Sequence, residues 1–143
     1  MANLKKLTAL AIILIALFSS CTTKEYYEVY PESFTKDYTV RKADWKIGED
    51  DESGAYLYYE FKEPDLTQEI YNHGAMQAFL KMNDGNLTPL PFNDYWKDGD
   101  LVWTEQATVE FRPGYITFIL KYSDHAVDIA PYYDYTFRVR FVW

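Results

Sequence analysis

The sequence predicts an all-β fold: an antiparallel β-sandwich of the Ig-like or Greek-key type, with about seven or eight strands and one short helix near residues 66–73. Three observations lead there. Tyrosine (14), phenylalanine (9) and tryptophan (4) make up 19% of the 143 residues, and aromatic side chains favour the pleated, half-buried surface of a strand. Apolar and polar residues alternate with a period of two in one segment after another. Turn residues recur about every 8–12 positions, the spacing of short antiparallel strands. An up-and-down barrel is the alternative.

The chain starts differently. Lys5 and Lys6 precede Leu7 to Phe18, where eleven of twelve residues are apolar, and Ser19-Ser20-Cys21 follows. A basic start, a short apolar core and a small-residue exit describe an export signal. The run is shorter than the roughly 17–25 apolar residues a membrane span needs. Cys21 is the single cysteine, so no internal disulfide is possible.

Leu17-Phe18-Ser19-Ser20-Cys21 resembles the lipobox of bacterial lipoproteins, with Phe18 in place of the usual aliphatic residue. The resemblance implies cleavage before Cys21, diacylglyceryl attachment to its thiol and acylation of the new amino terminus. Two or more acyl chains hold a protein stably at a membrane. Thr22 stands where an aspartate retains some lipoproteins in the inner membrane, so the resemblance points to the outer membrane, with the leaflet unspecified. The expected organisation is a signal peptide over 1–20, a tether over 21–37 and a sandwich over 38–143. A short edge strand is expected within the tether near Glu28-Val29-Tyr30.

The composition narrows the function. The 14 basic and 22 acidic residues give a net charge of −8; removing Lys5 and Lys6 leaves 12 against 22, or −10. A chain this acidic has no basic patch to neutralise phosphates, which argues against a nucleic-acid partner. The 123 residues left after removing 20 of 143 suit one domain.

In the domain, Tyr38 to Ile47 reads as a strand with Arg41, Ala43, Trp45 and Ile47 on one face and Trp45 as its anchor. Gly48 to Gly54 (GEDDESG) reads as an acidic hairpin loop. Clustered carboxylates suit calcium, but this run lacks the ligand spacing of a dedicated calcium loop, so no metal or other cofactor is assigned. Ala55 to Lys62 follows, with Leu57, Tyr59 and Phe61 inward and Tyr56, Tyr58, Glu60 and Lys62 outward.

After Pro64 the period changes. Asp65 or Thr67 can cap a helix, Leu66 and Ile70 share a side, and Gly74 suits a left-handed stop. The helix is expected to carry the chain between two sheets, with His73 as a cation at its end. Ala75 to Met82 reads as a strand with Met76, Ala78, Leu80 and Met82 inward, and Asn83-Asp84-Gly85-Asn86 as a hairpin turn. Pro89 and Pro91 confine 87–92 to an edge.

Asn93 to Asp100 (NDYWKDGD) reads as a loop displaying Tyr95 and Trp96. Exposed aromatics of this kind stack on a sugar ring or on a protein partner's apolar patch; the alternative is Trp96 folded back to plug one end of the sandwich. With outward Tyr56 and Tyr58, these residues form the candidate ligand-binding set. Leu101 to Phe111 should turn Leu101, Trp103, Ala107, Val109 and Phe111 inward, with Glu105 breaking the face as a bulge.

Arg112 to Tyr115 is a turn, and Ile116, Phe118, Leu120 and Tyr122 face in on the next strand. Ser123-Asp124-His125 turns into a short strand at 126–129. Tyr132 to Trp143 closes the chain, with Tyr133, Tyr135, Phe137, Val139 and Phe141 on one face, and is expected inside a sheet.

A second resemblance spans most of 38–142. The run Pro64 to Gly74 has the form P-x-L-T-x-x-I-x-x-x-G, and Tyr135-Thr136-Phe137-Arg138-Val139 closes the chain. This order resembles a group of small exported lipoprotein domains from Bacteroidota. It implies an exported sandwich and transfers no catalytic residue.

No nucleophile–base spacing marks an enzyme; a hydrolase would need two of the scattered carboxylates to converge in a pocket. The function expected is a non-catalytic, lipid-anchored binding or structural module. The alternative is an accessory carbohydrate-binding lipoprotein.

Overall fold

A computed structural model describes residues 32–51, 54–124, 127, 131 and 133–143. The signal segment, Cys21, the expected strand at 28–30, His125 and most of 126–129 lie outside the described residues.

Among the described residues, nine strands form two antiparallel sheets. In chain order they are β1 (Ser33–Val40), β2 (Lys46–Asp50), β3 (Gly54–Lys62), helix α1 (Gln68–His73), β4 (Ala75–Lys81), β5 (Leu87–Pro89), β6 (Phe92–Asp98), β7 (Leu101–Arg112), β8 (Tyr115–Tyr122) and β9 (Tyr135–Val142). One sheet has the order β1-β9-β4-β5, the other β2-β3-β8-β7-β6. The last strand is internal, as its unbroken alternation predicts: Phe141 pairs with Phe34 on one side and Met76 on the other.

The core lies between the sheets. Leu57, Ile116, Phe118 and Leu120 come from one side and Val40, Ala78, Leu80, Phe137, Val139 and Phe141 from the other, all buried. Alternation puts every second residue of these strands on that inner face.

Helix α1 carries the chain from β3 in one sheet to β4 in the other. Thr67 is its cap, with the hydroxyl accepting from the Ile70 amide at 3.2 Å. Gly74 ends the helix in extended backbone, φ −85°, and not in the expected left-handed turn. The glycine is needed for space. A Cβ there would sit 2.6 Å from the Ile70 carbonyl oxygen and 2.9 Å from that of Val142.

Six other expectations change. Gly48 to Asp50, read as part of the acidic loop, belong to β2 and pair with β3. Residues 33–37, read as tether, belong to β1. The strand read over 38–47 is the end of β1, a turn at 42–44 and the start of β2; Tyr38 and Val40 are buried while Ile47 is 62% exposed. The pattern misleads because Arg41, Ala43 and Trp45 lie in the connection between sheets. Trp45 still packs inward, edge-on to Tyr135 at 5.9 Å.

Residues 93–98, read as a loop, are strand β6, paired with β7 from Phe92↔Ala107 to Asp98↔Leu101. No bulge occurs at Glu105, whose register runs unbroken through Asp94 on β6 and Tyr122 on β8. Leu101 occupies the inner-face register but is 71% exposed, because the β6–β7 ribbon runs past the last β7–β8 pair, Glu105↔Tyr122.

The Glu105 cleft, a candidate functional site

Two carboxylates are buried among the described residues, Glu63 and Glu105. A buried ionisable group is costly unless paired, so their partners separate a structural role from a functional one.

Glu63 is fully partnered within the fold. The Lys36 ammonium donates to it at 2.7 Å, the Tyr38 hydroxyl donates to its other oxygen, and the Asp65 amide donates at 3.2 Å. Burial and the carboxylate beside it push the Tyr38 hydroxyl above the usual phenol range. This network ties β1 to the end of β3.

Glu105 has a different setting. It sits on the inner face of β7, at the end of the sandwich away from Glu32, where the described chain begins beside Trp143. Tyr135 of β9 donates to it at 2.5 Å, and Tyr122 of β8 is also hydrogen-bonded to it. Asp94 is its cross-strand partner on the same face. Burial pushes the Glu105 carboxyl above the usual range; the two tyrosine hydroxyls oppose that shift and the Asp94 charge adds to it. Tyr122 and Tyr135 are raised in turn, mainly by burial and then by the charge of Glu105.

These groups border a cleft of about 50 Å³. Phe92, Asp94 and Glu105 line it from the five-stranded sheet; Leu80, Tyr133 and Tyr135 line it from the other side, with Asn83 and Asp134 near the rim. The Tyr133 ring stacks on Tyr135 at 4.8 Å and is 39% exposed. Lys81 contributes to the wall, but its ammonium lies 3.6 Å from Asp37, on the solvent face of the sheet. The cleft therefore presents acceptors and aromatic surface, a setting in which a shifted carboxyl marks a candidate site. Its volume admits a few waters or one polar functional group.

The residues singled out from sequence lie elsewhere. Tyr95 and Trp96 are consecutive on β6 and so face opposite ways: Tyr95 is 77% exposed, while Trp96 turns to the inner face across from Trp103. They cannot stack on one ligand together. Tyr56 and Tyr58 share the outer face of the five-stranded sheet, as predicted, with ring centroids 6.1 Å apart and planes tilted by 52°. The Tyr56 ring lies on Gly48, where a Cβ would meet it at 2.5 Å, so one ring face is already covered. Tyr95 is on the same outer face, three strands or about 14 Å away across the sheet and displaced farther along the strands, since Tyr58 aligns with Thr108 and Tyr95 with Thr104.

Among the described residues, no group of three or more His, Cys, Asp or Glu is placed to hold a metal ion; Glu52 of the acidic stretch lies outside them. His73 is exposed in the last turn of α1. Glu105 was visible in the sequence as a charged residue at an inward position between Trp103 and Ala107. The inward tyrosines at 122 and 135 were the signal that it had partners. The chain as a whole matches no protein-family model, no curated protein and no solved structure.

Proposed function

We propose that the protein is an exported, lipid-anchored, non-catalytic binding module that receives a polar group of its ligand in the Glu105 cleft. The observation that carries this reading is Glu105 itself: a buried carboxyl on an open cleft, hydrogen-bonded by tyrosine hydroxyls and facing a second carboxylate. A group with this surround suits a donor-bearing ligand, such as one with hydroxyl or amino groups. The lipobox-like Leu17 to Cys21 supports acylation at Cys21 and attachment to the outer membrane. β1 spans about 25 Å from the Glu32 end to the cleft end, so the cleft is at the end of the domain remote from the point where the chain enters.

A carbohydrate ligand is the second reading, favoured by Tyr56, Tyr58 and Tyr95 on one flat, solvent-facing sheet surface. Catalysis by the Asp94–Glu105 pair is the weaker alternative, because about 50 Å³ does not admit a sugar ring between the two carboxyls.

Two measurements test the proposal. Mass spectrometry of the mature amino terminus should find Cys21 acylated and first in the chain; an unmodified Cys21 overturns the anchor. Titration of the detergent-solubilised protein with a panel of glycans and amines, followed by tryptophan fluorescence, should give binding that Glu105→Gln weakens. Binding lost in Tyr95→Ala or Tyr58→Ala but kept in Glu105→Gln moves the site to the sheet surface. Silence across the panel overturns both ligand classes.

A further inference from the structure

The Tyr135–Glu105 hydrogen bond joins the two sheets at the cleft end, since Tyr135 belongs to β9 and Glu105 to β7. Among the described residues, the titratable groups that face it are acids and phenols, and Asn83 supplies an amide to the cleft. Asp94 approaches from β6, Tyr122 from β8, and Tyr133 and Asp134 from the stretch leading into β9. From β4 the Lys81 side chain turns away to Asp37.

Asp94 and Glu105 stand directly opposite on adjacent antiparallel strands, where like charges are destabilising. Beyond them Thr104 is still held by Ser123, whose amide donates to the Thr104 carbonyl and whose hydroxyl accepts from the Thr104 amide, each at 2.9 Å. Past that point residues 95–103 form a two-stranded ribbon with no β8 partner among the described residues. Its surface includes Tyr95, Leu101 and Val102, each at least 66% exposed.

We propose that Glu105 is a proton-operated latch: protonated, it lets the β6–β7 ribbon rest against the four-stranded sheet with Tyr135 on its carboxyl; ionised, its burial and the facing Asp94 outweigh the tyrosine hydrogen bonds, loosening the ribbon and opening the cleft to water. Ionisation places a second negative charge across from Asp94 in a buried setting. The nearest relief is water entering between the sheets, and among the described residues the ribbon past Thr104 is the part of the five-stranded sheet with no strand paired on either outer side. Burial and Asp94 keep the proton on Glu105 above the ordinary carboxylate range. The latch does not depend on what the cleft binds.

Hydrogen exchange of the full-length protein across pH, corrected for the intrinsic rate at each pH, tests this. The amides of residues 92–107 should lose about tenfold in protection as pH rises through the Glu105 titration, while β4 and the second half of β9 hold theirs. Glu105→Gln should keep the ribbon protected at every pH, and Asp94→Asn should move the loss to lower pH, because it removes a charge that holds the proton on Glu105. Ribbon protection that does not change with pH in the wild type overturns the latch. So does a pH dependence that survives in both variants, or a loss of protection shared equally by β4 and β9.

Discussion

Phe118 and Phe137 stack face to face across the two sheets, with ring centroids 4.0 Å apart and planes 7° from parallel. Both are wholly buried, and Phe137 also meets the edge of Trp45 at 6.5 Å. This contact joins β8 to β9 at the centre of the core. Phe118→Ala should lower the stability of the domain by about 3–5 kcal/mol, seen as a lower urea midpoint with an unchanged slope. A loss under 1 kcal/mol would mean that the sheets do not rely on this stack.

Gly74→Ala tests the close approach at the end of α1. The added methyl would meet two backbone carbonyl oxygens at 2.6 and 2.9 Å, neither of which can rotate away. The expected cost is about 1–3 kcal/mol, measured by thermal or chemical denaturation. A neutral result would show that the helix and β9 separate there without penalty.

The stability of the protein should carry the sign of the Glu105 shift. Its folded value lies above the ordinary one, so the folded state binds more protons in the interval between them. The stability tied to this group is complete below the ordinary glutamate range and is lost as pH rises through the raised value. Glu105→Gln removes that dependence, and should gain stability relative to wild type as pH increases over this interval. Unfolding curves at a series of pH values give the difference directly; a gap that closes with rising pH contradicts the assignment.

Asp37 has the opposite sign. Arg138 donates to both of its oxygens, at 2.6 and 2.8 Å, and this hydrogen bonding, with the guanidinium charge, holds the Asp37 carboxyl below its usual range. Its contribution is present above the ordinary aspartate value and is lost as pH falls through the depressed one. Both groups are partly solvent-exposed, so the effect of Asp37→Asn should be small and should shrink further in high salt.

Deleting residues 140–143 should abolish cooperative unfolding. The deletion removes buried Phe141, its stack on Phe34 at 4.4 Å and the pairing of Val142 with both Ser33 and Ala75. Near-ultraviolet circular dichroism, which reports the packed aromatics, is the measurement; a retained native signal would contradict the central position of β9.

The strands that alternation read correctly are those with one face on the core and the other in water. On β3, β4, β8 and β9 the inward residues Leu57, Ala78, Phe118 and Val139 are all buried. The pattern was less informative where burial does not alternate in that way. β6 is an edge strand whose inner positions include Asp94, so its polarity imitates a loop. Around Trp45 the chain changes sheets, and a two-residue period across that connection had no strand beneath it. The cleft was missed because its deepest member is an acid: Glu105 broke an apolar face, and only its pairing with tyrosines from two other strands shows why the face tolerates it. A one-dimensional pattern does not say which strands become neighbours across the core.

β9 lies between β1 and β4, and its partner Asp37 is separated from Arg138 by 101 positions. In any process that delivers the chain from its amino end, β1 must therefore wait without any strand partner, and β4 with one side unpaired, until β9 arrives. Closing so long a span has a large entropic cost before any contact rewards it. The four-stranded sheet is consequently the late half of the fold, and a chaperone that shields β1 and β4 during transit would protect the edges most open to intermolecular pairing.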